Sequence, residues 1–254
     1  MKNFIIIGAA GYIAPRHMKA IKNTNNNLIA AYDPYDGVGI IDSFFPNAKF
    51  FVEFERFDRH VDKLIREGVK IDYLVVCSPN YLHDAHVRYG LRIGVDVICE
   101  KPLVLNSWNV DALKEIEANS KGNVYNILQL RLHPSVIELK RKILTQMNKE
   151  KHIVDLKYIT SRGEWYFTSW KGDKSKSGGM CTNIGIHFFD MLQWIFGQHE
   201  SILVKKISNK TFHGELKLEN AEVKWLLSVD PNELQDNNVF EKRNYRSLNI
   251  NNNK

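Results

Sequence analysis

Cysteine is scarce: three in 254 residues, at Cys77, Cys99 and Cys181. They lie far apart, which argues against a disulfide framework, and none stands at metal-ligand spacing, so no metal site is expected. That usage fits a reducing compartment. Long apolar runs are missing too. The opening Phe4-Ile5-Ile6-Ile7 is too short for a signal peptide, and no stretch approaches the roughly 20 apolar residues of a bilayer span. The expectation is a cytoplasmic protein with no membrane partner. There is also no Lys/Arg block. The 35 basic and 29 acidic residues leave a net charge of +6 and a pI near 9.0. A bias that mild and scattered suits anionic ligands and does not point to nucleic acid. The remaining composition, 44% hydrophobic and 25% charged, is that of an ordinary globular chain. It is long enough for one large or two modest domains.

Short apolar runs alternate with helical patterns up to about residue 130. Residues 3–8, Leu28 to Asp33, Tyr73 to Cys77 and Val95 to Cys99 read as buried strands. A helix is expected after Pro15, an amphipathic one over Arg59 to Ile65, another near 81–93, and one from Ser107, a plausible N-cap. Continuous apolar strands alternating with helices predict a parallel sheet covered on both faces. Residues 151–162 and 200–229 are different. Runs such as Ala221-Glu222-Val223-Lys224-Trp225-Leu226 alternate, as expected for a mainly antiparallel open sheet with one wet face. The expected class is therefore α/β, with a Rossmann dinucleotide-binding domain over 1–123 and an α+β substrate domain over 124–254. The asparagine-rich end, Asn249 to Lys254, reads as a frayed tail.

Gly8-Ala9-Ala10-Gly11-Tyr12-Ile13-Ala14 sits between a strand and a helix. Gly8 ends the strand, Gly11 lets backbone approach a pyrophosphate, and Ala14 permits close helix–sheet packing. The middle glycine of the usual fingerprint is replaced by Ala10. Asp33, ending the next strand, suits a ribose 2′-hydroxyl and disfavours a 2′-phosphate, so NAD is expected over NADP. A tight turn with no ligand is the bland reading. Lys101, in Glu100-Lys101-Pro102, is delivered by an apolar strand to the sheet edge where open α/β sheets bind ligands. An ammonium there can hydrogen-bond a hydroxyl and favour loss of its proton. Its bland counterpart is a surface lysine in a turn.

In the second half, Gly178-Gly179 precedes a helical run with Asn183 and His187 four apart and Asp190 one turn on. Ile184, Phe188, Met191 and Ile195 form the expected apolar stripe. The imidazole is a candidate base and Asn183 could orient a hydroxyl, although a lone helical histidine is more often structural.

The glycine turn, Ser78-Pro79-Asn80-Tyr81-Leu82-His83, Glu100-Lys101-Pro102 and the Asn183-x-x-x-His187-x-x-Asp190 helix occur in this order. Together they resemble the Gfo/Idh/MocA family of NAD(P)-dependent sugar oxidoreductases, from residue 1 to about 230. The resemblance implies that Lys101 and His187 face the nicotinamide across a domain interface. Lys101 would polarise the reacting hydroxyl and His187 would be general base, with Asn183 where many members carry an aspartate. It implies cofactor contacts from Gly8, Gly11, Tyr12, Ile13 and Asp33, and from Ser78, Asn80, His83, Glu100 and Lys101.

The strings GAAGYIAPRHMKAI, NILQLR, YITSRGEWY and SWKGDKSKSGG resemble one branch of that family more narrowly. Its members oxidise the 3-hydroxyl of UDP-N-acetylglucosaminuronic acid to a 3-keto sugar, which an aminotransferase takes toward bacterial surface polysaccharide such as O-antigen. The implied partner is thus a UDP-sugar uronate, the implied assembly a homo-oligomer (dimer or tetramer). Arg131, Arg162 and Lys171, with Lys174 and Lys176 nearby, are suited to the uronate and diphosphate. Trp165 and Tyr166 could pack on the uracil or pyranose ring. The likeness fades after Val229-Asp230-Pro231, and relatives usually continue for several tens of residues, so a shortened second domain is expected. Two alternatives stay open: another sugar or cyclitol dehydrogenase of the family, or a non-catalytic NAD-binding regulator.

Overall fold

The computed structural model describes residues 1–145, 150–236 and 244–251, and the chain divides into two compact units, Met1–Ile127 and Leu128–Lys254. The first holds strands β1 (Asn3–Ile7), β2 (Asn27–Tyr32), β3 (Lys49–Phe51), β4 (Tyr73–Val76), β5 (Asp96–Cys99) and β6 (Val124–Asn126). Between them run helices α1 (Ala14–Asn23), α2 (Val38–Phe44), α3 (Phe54–Arg66), α4 (His83–Arg92) and α5 (Trp108–Ala118). All pairings are parallel, in the order β3-β2-β1-β4-β5-β6. The order reverses between β1 and β4, which is where a doubly wound sheet opens a crevice at its carboxyl edge.

The period of two along each strand divides the core. Ile5, Ile7, Leu74, Val76, Val97 and Cys99 pack on one side with Phe57, Val61, Val87, Leu91 and Leu113 of α3, α4 and α5. Phe4, Ile6, Val75 and Cys77 pack on the other with Ala14, Met18 and Ile41 of α1 and α2. Both faces are covered, so these strands read as unbroken apolar runs. Val124–Asn126 pair with Val97–Cys99, so this unit extends past the 123/124 division to Ile127. Ser107 does precede α5, but its side chain makes no capping bond.

Asp72 ties the start of β1 to that of β4. Its carboxylate accepts the Asn3 N–H (2.9 Å) and pairs with Lys2 (3.1 Å) and Lys70 (3.0 Å). Burial opposes its charge, but the Asn3 N–H and the two ammonium groups outweigh burial and hold its pKa at about 2. A depressed carboxylate stabilises the fold above its unfolded value and loses that contribution as pH falls through its folded value. The denaturation midpoint should therefore drop between about pH 4 and pH 2. Asp72→Asn should flatten that part of the curve, and urea titrations across this range check it.

The second unit contains α6 (Pro134–Thr145), β7 (His152–Thr160), α7 (Glu164–Thr168), α8 (Lys174–Ser177) and α9 (Ile186–Phe196). After these come β8 (His199–Lys206), β9 (Thr211–Leu218), β10 (Ala221–Ser228), α10 (Asn232–Asp236) and β11 (Asn244–Ile250). The sheet order is β11-β7-β10-β9-β8. Three of its pairings are antiparallel, as expected, but β10 runs parallel to β7, so the sheet is mixed. Val154, Leu156, Val223, Trp225 and Leu227 face Met191, Leu192, Ile195 and Phe196 of α9.

Two expectations change here. Asn249 and Ile250 are not frayed: they end β11, and Leu248 and Ile250 pack against the core. Asn251 follows in a turn, where its N–H donates to Ile153 O (2.8 Å) and its Oδ1 accepts from Ile153 N (2.9 Å). Residues 252–254 lie outside the described residues. The apolar stripe of α9 is also broader than expected, since Leu192 and Phe196 are fully buried while Phe188 is only partly so. Among the described residues no helix is long and apolar enough to cross a membrane.

Candidate active site

Four loops meet at the carboxyl edge of the first sheet. The first leaves β1 at Gly8, whose φ is +85°, the left-handed region where a side chain is strained. A Cβ on Gly8 would stand 2.4 Å from the Cys77 carbonyl carbon and 2.5 Å from Ser78 N. The turn closes through Gly11 N–H to Gly8 O (3.1 Å) and runs straight into α1, which has Pro15 in its first turn. Bare backbone followed by a ten-residue helix N-terminus is a cradle for a diphosphate. Tyr12 is 81% exposed beside this turn, with the Arg16 guanidinium 5.8 Å from its ring centroid. Ile13 is half-buried at the helix start.

Asp33 directly follows β2 and is buried. Its Oδ2 accepts from Ala10 N (3.0 Å) and its Oδ1 from Tyr35 N (2.9 Å). The carboxylate thus braces the glycine turn from the next strand, and a carboxylate has lone pairs left for ribose hydroxyls. These residues fit a dinucleotide: a tight glycine turn that leads its backbone N–H groups into a helix N-terminus, next to a fixed carboxylate.

Ser78 and Asn80 follow β4 and are both buried. The Ser78 hydroxyl lies 2.8 Å from His86 Nδ1. Burial, and secondly the nearby His83, push the His86 pKa down to about 4, so a neutral ring is available to accept the hydroxyl proton. His83 is 1% exposed, and its two ring nitrogens lie 2.7 Å from Pro102 O and 2.8 Å from Ser78 O. It is thus placed inside the protein, beneath the edge where the cofactor was expected to meet it.

Glu100 and Lys101 follow β5, and the Lys101–Pro102 peptide is cis. Glu100 Oε1 lies 2.8 Å from His17 Nε2, both side chains being mostly buried. Burial alone would raise the Glu100 carboxyl. The His17 contact, then the Lys101 backbone N–H and ammonium, outweigh it and hold Glu100 below the usual range. Glu100 is therefore a carboxylate anchored on α1 with Lys101 beside it. His17 and His86 did not stand out in the sequence. The signal for His17 is its place in the first turn of the helix after the glycine turn, near the same sheet edge.

The second unit carries a separate set. Cys181–Gly185 wind as a π turn before α9 begins at Ile186, so Asn183 and His187 are not on a uniform α-helix. Wide turns of this kind are frequent at functional sites. Gly185 permits it, because a Cβ there would lie 2.7 Å from the Phe189 ring and 2.9 Å from Leu227. Asn183 is buried and His187 half-buried. Arg131 turns its fork to Asp190, through Nε at 2.8 Å and through Nη2. The pair braces the loop before α6 against the helix that carries His187.

Past β7, the Arg162 guanidinium lies 5.7 Å from the Tyr166 ring centroid, with its Nε buried and unpaired. The Lys171 ammonium lies 5.1 Å from the Trp165 ring and 5.6 Å from the Trp170 ring. Burial first, and the Arg162 charge second, push the Lys171 pKa down. Among the described residues neither cation has a carboxylate partner. Trp165 is 56% exposed while Tyr166 is buried, so only the tryptophan presents a ring to solvent. Lys174 and Lys176 are exposed on α8.

Residues 2–127 match the family description "oxidoreductase family, NAD-binding Rossmann fold", and residues 149–230 match "oxidoreductase family, C-terminal alpha/beta domain" of the same family. The chain belongs to the Gfo/Idh/MocA oxidoreductase family. Among solved Gfo/Idh/MocA-like structures, the WlbA (WbpB) dehydrogenase from Thermus thermophilus in complex with NAD and UDP-GlcNAcA is 45% identical with a TM-score of 0.94. The match covers 99% of this chain and 82% of that one. The same dehydrogenase in complex with NAD and alpha-ketoglutarate gives a TM-score of 0.92 at 45% identity, over 99% of this chain and 81% of that chain. Glucose-6-phosphate 3-dehydrogenase from Bacillus subtilis is 28% identical over 224 residues, 82% of this chain and 59% of that enzyme. The matches cover between 15% and 59% of the length of these curated relatives.

Proposed function

We propose that this protein oxidises the 3-hydroxyl of UDP-N-acetylglucosaminuronic acid to the 3-keto sugar, with NAD as cofactor. One observation carries the substrate half of this reading. Arg162 and Lys171 are cations that repel each other, sit against aromatic rings and have no carboxylate partner among the described residues. An anion between them would offset their repulsion, and a uronate or diphosphate supplies one. The 45% identical Thermus enzyme carries NAD and a substrate of that chemistry, which supports the same assignment.

The Gly8–Gly11 turn and the α1 N-terminus hold the diphosphate of the dinucleotide through backbone N–H groups. Asp33 takes ribose hydroxyls and disfavours a 2′-phosphate. NAD, when bound, supplies the hydride acceptor. Lys101 donates a hydrogen bond to the sugar hydroxyl and favours its ionised form, and His187 takes the proton. Asn183, a neutral amide, orients the hydroxyl. Departure of a hydride from C3 and a proton from its oxygen leaves a ketone.

Purified protein with NAD should form about one equivalent of NADH per site in a single turnover with UDP-N-acetylglucosaminuronic acid. No absorbance change from folded, NAD-bound protein overturns the reading. Turnover of glucose 6-phosphate in place of the UDP-sugar would move the anion at Arg162 and Lys171 from a uronate to a phosphate monoester.

A further inference from the structure

His83 is used by none of the steps above, yet it is 1% exposed and bonded at both ring nitrogens. One partner is Ser78 O, just past β4. The other is Pro102 O, one residue past Lys101. We propose that His83 is a positioning residue for Lys101, tying the turn that carries the lysine to the end of β4. The proposal rests on the role given to Lys101 above.

The geometry requires this bridge more than it requires a cofactor contact. A ring sealed from solvent cannot touch a ligand, whereas its two bonds join the loops that carry Ser78, Asn80, Glu100 and Lys101. The ladder between β4 and β5 ends at Val76 and Cys99, with one further bond from the Glu100 N–H to Val76 O (3.0 Å). Beyond those residues the His83 ring is a cross-link between the two loops. Both partners are carbonyl oxygens, so both bonds form only when both nitrogens carry a proton. A neutral ring serves one carbonyl and turns a lone pair toward the other.

The charges around the ring compete. Burial lowers the imidazolium's stability, and the Lys101 ammonium lowers it further, while the two carbonyls and the Glu100 carboxylate support it. His86, on the same face of α4, is held neutral, and His17 is paired with the Glu100 carboxylate. Burial prevails, so the bridge is complete in acid and opens on one side as pH rises through a value below the ordinary 6.5.

His83→Phe keeps a ring of similar size and removes every ring N–H, whichever protonation state the imidazole holds. In a misplaced-group regime an ångström of drift costs about a hundredfold, so kcat should fall about ten- to a hundredfold. KM for the UDP-sugar and affinity for NAD should change little. His83→Gln, which can donate to one carbonyl, should fall between wild type and His83→Phe, a partial rescue that a simple loss of folded protein would not give. A kcat for folded His83→Phe within about twofold of wild type overturns the proposal.

A second measurement needs no turnover. With 13Cε-labelled lysine, the Lys101 signal (assigned by its loss in Lys101→Met) should shift in wild type as His83 titrates, followed by 15N imidazole signals. That step should vanish in His83→Phe. A Lys101 signal indifferent to His83 in wild type overturns the proposal even if neither variant folds. A protein that turns over no sugar refutes the catalytic reading while this titration still decides the positioning.

Discussion

Lys101→Met is expected to abolish turnover, with kcat down by about 10²–10⁴-fold, while NAD binding persists. Methionine matches the unbranched stem but carries no N–H, so the fill of the site is kept and the hydrogen bond to the sugar oxygen is lost. The backbone around it has its own supports. Glu100 is held by His17, Asn126 Nδ2 donates to Cys99 O and Glu100 O, and Pro102 O is held by His83. The residues assigned to the dinucleotide cradle, Gly8, Gly11 and Asp33, lie in the loops after β1 and β2 and do not depend on the lysine side chain. Stopped-flow NADH formation and a fluorescence titration with NAD separate the two quantities. A kcat within tenfold of wild type would shift the chemistry to His187. A parallel loss of NAD affinity would make Lys101 a cofactor ligand first.

Gly8→Ala is expected to cost NAD binding and much of the stability of the first unit together. At φ +85° an L-residue pays about 1–2 kcal/mol. The new methyl would also meet the Cys77 carbonyl carbon at 2.4 Å and Ser78 N at 2.5 Å. These are backbone atoms at the end of a central strand and have no rotamer to change. Overpacking of that kind adds about 1–3 kcal/mol, so the sum is about 2–5 kcal/mol against a total stability of about 5–15. The displaced atoms are also those that shape the cradle and lead into Ser78. Thermal unfolding and NAD titration of the variant should both shift strongly. Wild-type NAD affinity in a folded Gly8→Ala protein would remove the glycine turn from the cofactor site.

The residues at the carboxyl edge were legible because they follow a local rule. A buried parallel strand reads as an apolar run, and the loop after it faces the ligand edge. Gly8, Asp33, Ser78 and Lys101 each stand within two residues of the end of such a strand. The alternation in β9 and β10 likewise showed a second, mostly antiparallel sheet before any contact was known. The same reasoning reached less far where a side chain's partner lies far off in sequence. Arg131, expected to serve a substrate anion, turns its fork to Asp190, 59 residues away. The Asn183–His187 spacing looked like one face of an α-helix. The π turn at Cys181–Gly185 depends on Phe189 and Leu227 closing over Gly185, which no spacing reports.

By itself the sequence determined the two-unit α/β plan, the carboxyl-edge placement of Gly8, Asp33 and Lys101, and a basic, aromatic segment over 162–176. These follow from hydrophobic period and from glycine, which act over a few residues. Only the tertiary structure decided what each polar group in that plan is joined to. His83 is inside on two carbonyls, Glu100 is held by α1, and Arg162 and Lys171 are left with no carboxylate among the described residues. Asn249 and Ile250, which read as part of a tail, end the strand β11 that closes the edge of the second sheet beside β7. Burial and hydrogen-bond partners are properties of the packed chain: they depend on which distant segments meet, and a pattern read along one segment contains no term for that.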